Sequence, residues 1–363
     1  MKRKISFPFA FRSLIRTFAT QMAKLFLFNP EHDIALASNL AHFTAPHAGR
    51  QLRADLAYLP ALWADEDDYI FVDHVESARK SYERLRRRLG RPIANFVDRD
   101  GLRRIHVTNV VPWGWDAAVA TDLQRWGIDG AILPSTSLLA HYRELSHRRT
   151  SAQLLPLLHI PGTIGEAVEC TTIEQVVEYQ QRWGRIVIKA PWSSSGRGVR
   201  FAVQEGWIRN IIEHQGSVMV EPFYEKVRDF GMEFEVDANG HIHYLGLSLF
   251  HTKNGAYIGN ILATEEKKRE MMARYLPIDL LDDVKQRIIE NAQLAHYQGP
   301  FGIDMMVVKS ESGCLLHPCV ELNLRRTMGH VALSMTPQDD DIVKVMRIEL
   351  TDHYKLHINK LNK

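Results

Sequence analysis

The residues of this chain best suited to chemistry cluster near position 304. Gly302-Ile303-Asp304-Met305-Met306-Val307-Val308 reads as a strand with a single charge in an apolar run. Glu311-Ser312-Gly313 makes a turn, and a return strand over 315–324 carries Glu321 and Asn323. Residues two apart on a strand share a face. Glu321 and Asn323 therefore project together, and hairpin pairing brings Asp304 beside them. Two carboxylates and an amide oxygen are hard ligands of the kind Mg²⁺ or Mn²⁺ takes, with nucleotide phosphates completing the shell. Buried carboxylates this close need a cation. Arg325, two residues past Asn323, continues the face and can meet a phosphoryl group. The plainer reading is a hydrogen-bonded polar patch on a sheet.

Two upstream segments complement this hairpin. In the first, a β-branched strand over 185–189 ends in Lys189 and is followed by Trp192-Ser-Ser-Ser-Gly196-Arg-Gly198 and a second strand over 199–203. Small residues let the backbone approach an anion and offer it N–H groups. No Gly-Lys-Ser/Thr closes the loop, and it leads into a strand, so it is not a Walker A loop. It reads either as a hairpin flap over phosphates, with Lys189 as a point charge, or as a Gly/Ser hairpin with no ligand. In the second segment, an apolar strand over 217–220 runs into Glu221-Pro222-Phe223, with Asp229 beyond. A strand-to-linker junction exposes backbone groups to a purine edge, and a carboxylate beyond it can accept ribose hydroxyls. An acid beside Pro is also ordinary loop chemistry.

The order of these segments, from flap with strand lysine through acidic hinge to an Asp … Glu-x-Asn hairpin followed by Arg, resembles the ATP-grasp superfamily over roughly 142–335. The resemblance implies ATP and Mg²⁺ (or Mn²⁺) as cofactors. It assigns Lys189 to the α/β-phosphates, and Ser194, Ser195 and Gly196 to the flap over them. Glu221 sits at the hinge. Pro222 has no N–H, so Phe223 or a neighbour must supply the donor to adenine, and Asp229 is the ribose candidate. Asp304, Glu321 and Asn323 hold one or two metal ions, and Arg325 steadies the transferred group. Arg148, in Ser-His-Arg-Arg, is either a further basic contributor or, more plainly, part of a solvated helix face. Lys253, between hinge and metal hairpin, is either an acceptor-side contact or an exposed turn lysine.

The elements that must position these groups follow the same order. Residues 22–138 alternate short strands with helices, the pattern of an open α/β domain. Strands are expected over 25–28, 69–72, 105–107 and 131–133, and helices over 76–89 and 116–126. This region is similar to the domain that commonly precedes an ATP-grasp module. The expected fold class is thus α/β and α+β: an N-terminal open α/β domain, then a two-lobed ATP-grasp module with lobes over 139–220 and 221–363, the latter ending in a C-terminal helix over 339–361. Ligands of such sheets gather at strand carboxyl ends. Asn29 and His32, in the polar loop 29–33, are therefore substrate candidates, set against a plain helix start capped by Asp33. Trp113 and Trp115 either line a pocket or pack beside a cap at Asp116. His42 and His47 lack metal-site spacing, and His241 and His243, which alternate on a strand and face the same way, read as surface residues rather than a zinc site because no further ligands accompany them.

Composition bounds the rest. The 363 residues are 45% hydrophobic and 24% charged, an ordinary globular balance. The formal net charge of +2 gives no reason to expect nucleic acid. Residues 1–21 hold Lys2, Arg3, Lys4, Arg12 and Arg16 and no acid, and read as an extension before the true start at Met22, a surface-binding arm or a targeting segment. Three cysteines, Cys170, Cys314 and Cys319, form no CxxC pair and fit a reducing, cytoplasmic setting. No apolar run reaches the ~18 residues of a membrane span, so no membrane partner is expected. The activity implied by the resemblance is an ATP- and Mg²⁺-dependent ligase joining a small-molecule carboxylate to an amine (or thiol) through an acylphosphate. A small-molecule kinase and a non-catalytic nucleotide-binding regulator are the alternatives.

Overall fold

Short apolar runs, each closed by a turn or cap residue, build the first of three sheets. The computed structural model describes residues 23–193, 196, 198–253, 256–311 and 313–360. The basic extension, Ser194, Ser195 and the side chain of Lys253 lie outside the described residues. Strands β1 (Lys24–Leu27), β2 (Tyr69–Phe71), β3 (Asn95–Val97) and β4 (Asn109–Pro112) are all parallel, in the order β3-β2-β1-β4. They are connected through α1 (His32–Ser38), α2 (His47–Leu56), α3 (Val75–Leu89) and the short α4 (Arg99–Leu102), and α5 (Ala117–Arg125) follows β4. Alternation along β1 splits its side chains between two cores. Leu25 and Leu27 pack with Phe71, Leu123 and Trp126, while Phe26 packs with Ile70, Leu56 and Leu59. Asp116 caps α5 by accepting from the Val119 N–H at 2.9 Å.

Helices α6 (Thr136–Leu145) and α7 (Arg149–Leu154) lead to a four-stranded sheet. Its strands β5 (Val168–Cys170), β6 (Ile186–Lys189), β7 (Val199–Arg200) and β8 (Val218–Pro222) are antiparallel in the order β5-β8-β6-β7. Helices α8 (Ile173–Trp183), started by a Thr172/Gln175 capping box, and α9 (Glu205–Gln215) cover it. This sheet has a small core of its own, centred on Val176, Ile186, Ile188, Ile208 and Val220.

The third sheet has seven antiparallel strands in the order β13-β12-β9-β10-β11-β14-β15. They are β9 (Lys226–Val236), β10 (Ile242–Lys253), β11 (Ala256–Leu262), β12 (Gly299–Ser310), β13 (Gly313–Asn323), β14 (Lys344–Leu350) and β15 (Tyr354–Lys360). Helices α10 (Glu265–Met272), α11 (Ile278–Asn291) and α12 (Met328–Leu333) accompany it. Its core includes Phe234 stacked on Phe301 with centroids 5.1 Å apart.

The architecture is the expected one, an open parallel α/β sheet followed by two antiparallel lobes, with local corrections. The C-terminal helix over 339–361 is instead the hairpin β14–β15. Ile342, Val345 and Ile348 are spaced for a helix, but Tyr354, Leu356 and Ile358 alternate strictly with Lys355, His357 and Asn359, and period two wins. The hairpin closes against the parallel sheet: Met346 and Ile358 share a core with Phe26 and Ile70, and Asp55 accepts from the Tyr354 N–H at 2.8 Å. The fourth parallel strand runs over Asn109–Pro112, not 105–107, and the 131–133 segment is a 3₁₀ turn (Gly130–Ile132) nucleated by Asp129 accepting from the Ala131 N–H.

Because Met346 is fully buried in a core shared by two sheets, Met346→Ala should cost about 2–5 kcal/mol. Urea unfolding should show the parallel sheet and the C-terminal hairpin losing stability together. A loss confined to one of them would contradict the shared core.

Candidate functional site

The β12–β13 hairpin sets Asp304 directly opposite Glu321 and Gly302 opposite Asn323, with a ladder irregularity just after Asp304. Asn323 donates from Nδ2 to Asp304 Oδ2 at 3.1 Å and accepts on Oδ1 from Arg325 Nη2 at 2.9 Å. The expected cluster of Asp304, Glu321, Asn323 and Arg325 is therefore assembled. It lines a cavity of about 460 Å³ together with Gly196 of the flap.

The four-stranded sheet reaches this hairpin through Lys189. From the end of β6 its Nζ donates to the Val320 carbonyl at 3.2 Å and pairs with Glu221 Oε1 at 2.6 Å. Both side chains are buried, so each satisfies the other's charge. Arg148 is the main correction here. It is buried, not on a solvated helix face. It donates from Nη1 to the Ala190 carbonyl (2.5 Å) and Ser193 Oγ (2.7 Å), and from Nη2 to Glu321 Oε1 (2.6 Å). One guanidinium thus ties the root of the flap to the carboxylate hairpin. Trp192 fixes that root further, donating from Nε1 to the Arg143 carbonyl and lying under its guanidinium at 3.6 Å. Ser151, on α7, accepts from the Leu322 N–H at 2.8 Å and anchors β13 from behind.

Arg325 meets a partner that the sequence did not suggest. Its Nε and Nη2 donate to both oxygens of Asp33, at 2.8 and 2.7 Å. Asp33 caps nothing; it sits inside the first turn of α1 and joins the parallel sheet to the seven-stranded sheet. Burial pushes the Asp33 carboxyl up, but the Arg325 charge and hydrogen bonds outweigh it and hold it below the usual range. The converse holds for Arg325: burial lowers it, and Asp33, Glu321 and Asp304 raise it further.

Other expected site residues are placed differently. Asn29 donates to the Gly114 carbonyl at 2.8 Å, and His32 Nδ1 lies 3.2 Å from Asp116 Oδ2. Both are buried supports of the 28–33 loop, and neither lines the cavity that holds the carboxylates. The Phe223 N–H donates to the Arg185 carbonyl at 2.9 Å, extending the β6–β8 ladder, so it is committed before any adenine arrives. Its ring lies 3.8 Å from the Arg185 guanidinium. Asp229 pairs with Lys226 at 2.5 Å, away from the residues lining the cavity. Trp113 combines the two readings offered for it: it packs edge-on to Phe28 at 4.9 Å and also lines the cavity. His241 and His243 both pair with Asp237 on the surface.

Two further features were not legible. Glu233, buried on β9, accepts from Thr327 Oγ1 at 2.8 Å and lies 3.0 Å from His330 Nδ1. A Cβ on Gly329 would fall 1.8 Å from Glu233 Oε1, so only glycine admits this approach. His317, fully buried on β13, packs edge-on to Tyr224, and neither ring nitrogen has a partner among the described residues. Burial, with Lys189 nearby, drives it down to about 3 and keeps it neutral.

The donor set suits a hard divalent cation bound together with phosphate. Among the described residues no three His, Cys, Asp or Glu side chains converge as a metal cage. Two carboxylates and an amide leave the remaining positions to phosphate oxygens or water. The electrostatics point the same way. Burial, then the neighbouring Glu321 and Glu233 charges, push the Asp304 carboxyl up to about 8, the signature of crowded carboxylates short of positive charge.

No protein-family model matches the chain, and no curated protein matches it. Solved structures similar to it include N5-carboxyaminoimidazole synthetase from Staphylococcus aureus complexed with ADP, 11% identical, covering 90% of this chain and 82% of that one at a TM-score of 0.45. The Thermus thermophilus N5-carboxyaminoimidazole ribonucleotide synthetase is 12% identical over 91% and 83% of the two chains, TM-score 0.46. The biotin carboxylase domain of the Hydrogenobacter thermophilus 2-oxoglutarate carboxylase, in complex with MgADP, ADP and bicarbonate, is 13% identical over 90% and 74%, TM-score 0.47. At such distance the ligands of those proteins remain properties of theirs. Among the described residues no helix is long and apolar enough to cross a membrane.

The raised Asp304 carboxyl has a measurable consequence. Its folded pKa lies above the unfolded value of 3.8. The folded state therefore binds more protons between about pH 4 and 8, and stability contributed by this group falls as pH rises through that window. In protein free of metal and nucleotide, Asp304→Asn should flatten this fall in urea titrations run across pH 4–8. An unchanged slope would show that Asp304 does not carry the charge crowding.

Proposed function

We propose that this protein is an ATP-dependent, ADP-forming ligase of the ATP-grasp type that joins a carboxylate to an amine or thiol. The observation that carries this reading is one continuous run of contacts from the flap root to the carboxylate hairpin and on to the parallel sheet. It runs from Ser193 through Arg148, Glu321, Asp304, Asn323 and Arg325 to Asp33. In this reading Lys189 and Arg148, at the border of the four-stranded sheet and the carboxylate hairpin, would meet nucleotide phosphates. Asp304, Glu321 and Asn323 would hold Mg²⁺, which supplies charge neutralisation to the phosphoryl group when bound. Arg325, oriented by donating to both Asp33 oxygens, would offset charge on the transferring group.

In this reading a substrate carboxylate oxygen attacks the γ-phosphorus and the bond to the bridging oxygen of ADP breaks. The acylphosphate is then attacked at its acyl carbon by the amine, phosphate leaves, and the amine gives up a proton. Little side-chain acid–base work is required. That suits a cavity in which Asp33 and Glu233, the acidic residues outside the proposed metal set, are engaged by Arg325 and Thr327. A kinase acting on a hydroxyl would call for a base free to accept the proton, and the engagement of both favours the ligase. The cavity is also lined by Phe28, Trp113, Phe250, Tyr257 and Tyr354, with Ser248 and Asn260 as polar points, and in this reading these would meet the acceptors.

ATP turnover should be followed with pooled amines and carboxylates, with products read by mass spectrometry. Wild-type protein should release ADP and phosphate only when both acceptors are present, and Asp304→Ala or Glu321→Ala should lower turnover by at least ~10³-fold, on the scale of losing electrostatic stabilisation of a transition state. Full turnover in both variants, or a stable phosphoester as product, would overturn the reading. Arg148→Met should raise the KM for ATP and lower kcat together, because it removes one cation from both the flap root and Glu321. An unaltered KM would place Arg148 outside the nucleotide site.

A further inference from the structure

Glu221, Glu321 and Asp33 each have a basic partner, in Lys189, Arg148 and Arg325. Glu233 has none. Its side chain, on β9, is only 4% exposed and, among the described residues, forms no ion pair with a lysine or arginine. Lys268 and Arg326 feel its charge from further away, but Lys268 is held by Glu265 and the Leu247 carbonyl, and Arg326 lies over the Trp63 ring. His330 does not supply the missing charge. Its Nε2 lies 3.1 Å from the Phe234 carbonyl, which can only accept, so Nε2 carries a hydrogen. Its Nδ1 accepts the Thr327 N–H at 3.1 Å in the capping box of α12, so Nδ1 carries none. The ring is neutral, and the 3.0 Å approach of Nδ1 to Glu233 Oε2 is no ion pair. What Oε2 receives is one hydroxyl bond, from Thr327 Oγ1 at 2.8 Å.

The other oxygen, Oε1, has no hydrogen-bond partner among the described residues and is open to the carboxylate cavity, which Glu233 lines. Two glycines give the carboxylate its room. A Cβ on Gly302 would fall 2.5 Å from Oε2, and one on Gly329 would fall 1.8 Å from Oε1 and 2.5 Å from Ser248 Oγ. Oε1 and Ser248 Oγ therefore stand side by side over Gly329. Ser248 Oγ accepts from Asn260 Nδ2 at 2.9 Å, and Asn260 Oδ1 accepts from the Tyr257 hydroxyl, so the serine is fixed in place. Among the described residues lining the cavity, Arg325 is the only basic side chain, and Asp33 holds it. A nearly buried carboxylate with an open oxygen and no counter-charge calls for a cation from outside the chain. One carboxylate oxygen and one hydroxyl fall far short of the oxygen shell that a divalent metal takes. They suit an ammonium group, a three-way donor. Phe250, Tyr257, Met328 and Trp113 line the same cavity and present apolar and aromatic surface to whatever carries that group.

We propose that Glu233 Oε1 and Ser248 Oγ hold the nitrogen of the amine substrate, bound as an ammonium group, and that this amine carries an apolar or aromatic body. Calling the ligand a substrate rests on the ligase reading; the binding site itself does not.

Isothermal titration of the full chain without nucleotide, in buffer free of amines and potassium, tests this with phenethylamine, isoamylamine, ethanolamine and phenethyl alcohol. At least one of the two apolar amines should bind one-to-one. Ethanolamine, which lacks the apolar body, and phenethyl alcohol, which lacks the charge, should each bind at least ~10-fold more weakly, as should the apolar amine to Glu233→Gln. Phe250→Ala, which leaves the carboxylate in place, should weaken amine binding severalfold whatever the stability of the Gln variant. Failure of both apolar amines to bind, binding as in wild type by folded Glu233→Gln or by Phe250→Ala, or equal binding of phenethyl alcohol would each overturn the proposal. So would binding of K⁺ or Mg²⁺ alone that Glu233→Gln removes and that no amine displaces, which would make this a metal site. ATP turnover separates the two readings. Amines that bind through Glu233 but support no ADP release with any carboxylate would remove the ligase reading and leave the site. Amine-dependent turnover unaffected by Glu233→Gln would remove the site and leave the ligase.

Discussion

A buried carboxylate must be matched by positive charge, and this requirement organises the centre of the molecule. Glu221 is matched by Lys189, Glu321 by Arg148 and Asp33 by Arg325. Only the first pair lies within one sheet. The second fastens the flap root of the four-stranded sheet to β13, and the third fastens the parallel sheet to the seven-stranded sheet. Removing one partner of the buried Lys189–Glu221 pair would cost ~3–5 kcal/mol, because the other is left charged and dry, whereas the part-exposed Glu321 and Asp33 pairs are worth less. The relative placement of the three sheets is therefore tied to the pairing of charges as much as to apolar packing. Asp304 is matched less completely: burial and the Glu321 and Glu233 charges push its carboxyl up against the pull of Arg325 and the Asn323 hydrogen bond.

The parts of this arrangement that are local in sequence were legible in it. Asp304, Glu321 and Asn323 share a hairpin whose turn and alternation are plain, and Lys189 ends a β-branched strand beside a Gly/Ser loop. The parts that depend on distant contact were not. Asp33 and Arg325 are 292 residues apart, and Asp33 reads locally as an acid at a helix start. Arg148 looks like one more basic residue on a charged helix until Ala190, Ser193 and Glu321 close around it. Phe223 was a reasonable donor at a hinge, but the β6–β8 ladder runs one residue further than the Pro suggested and consumes its N–H. The C-terminal hairpin reads locally as a helix because Ile342, Val345 and Ile348 fall at helical spacing.

The loop from Phe28 to Asp33 separates two cavities, one of about 460 Å³ lined by Phe28, Pro30 and Asp33 and one of about 350 Å³ lined by Asn29 and Glu31. Its alternate residues face opposite ways, and Asn29 and His32, buried and bonded to Gly114 and Asp116, hold it rigid between them. A close approach at Gly114, where a Cβ would fall 2.7 Å from the His32 ring, keeps that partition thin.

The distribution of apolar cores has a mechanical consequence. The parallel sheet and the β14–β15 hairpin share one core, so separating them would expose Phe26, Ile70, Met346 and Ile358 to water. The four-stranded sheet has a core of its own and reaches the others mainly through directional polar contacts at Lys189, Arg148 and Trp192. Rotating it away would break a few hydrogen bonds that water can replace, while leaving every core intact. The four-stranded sheet is thus the part joined to the rest least by shared apolar core, and it carries the Gly/Ser loop that follows Lys189.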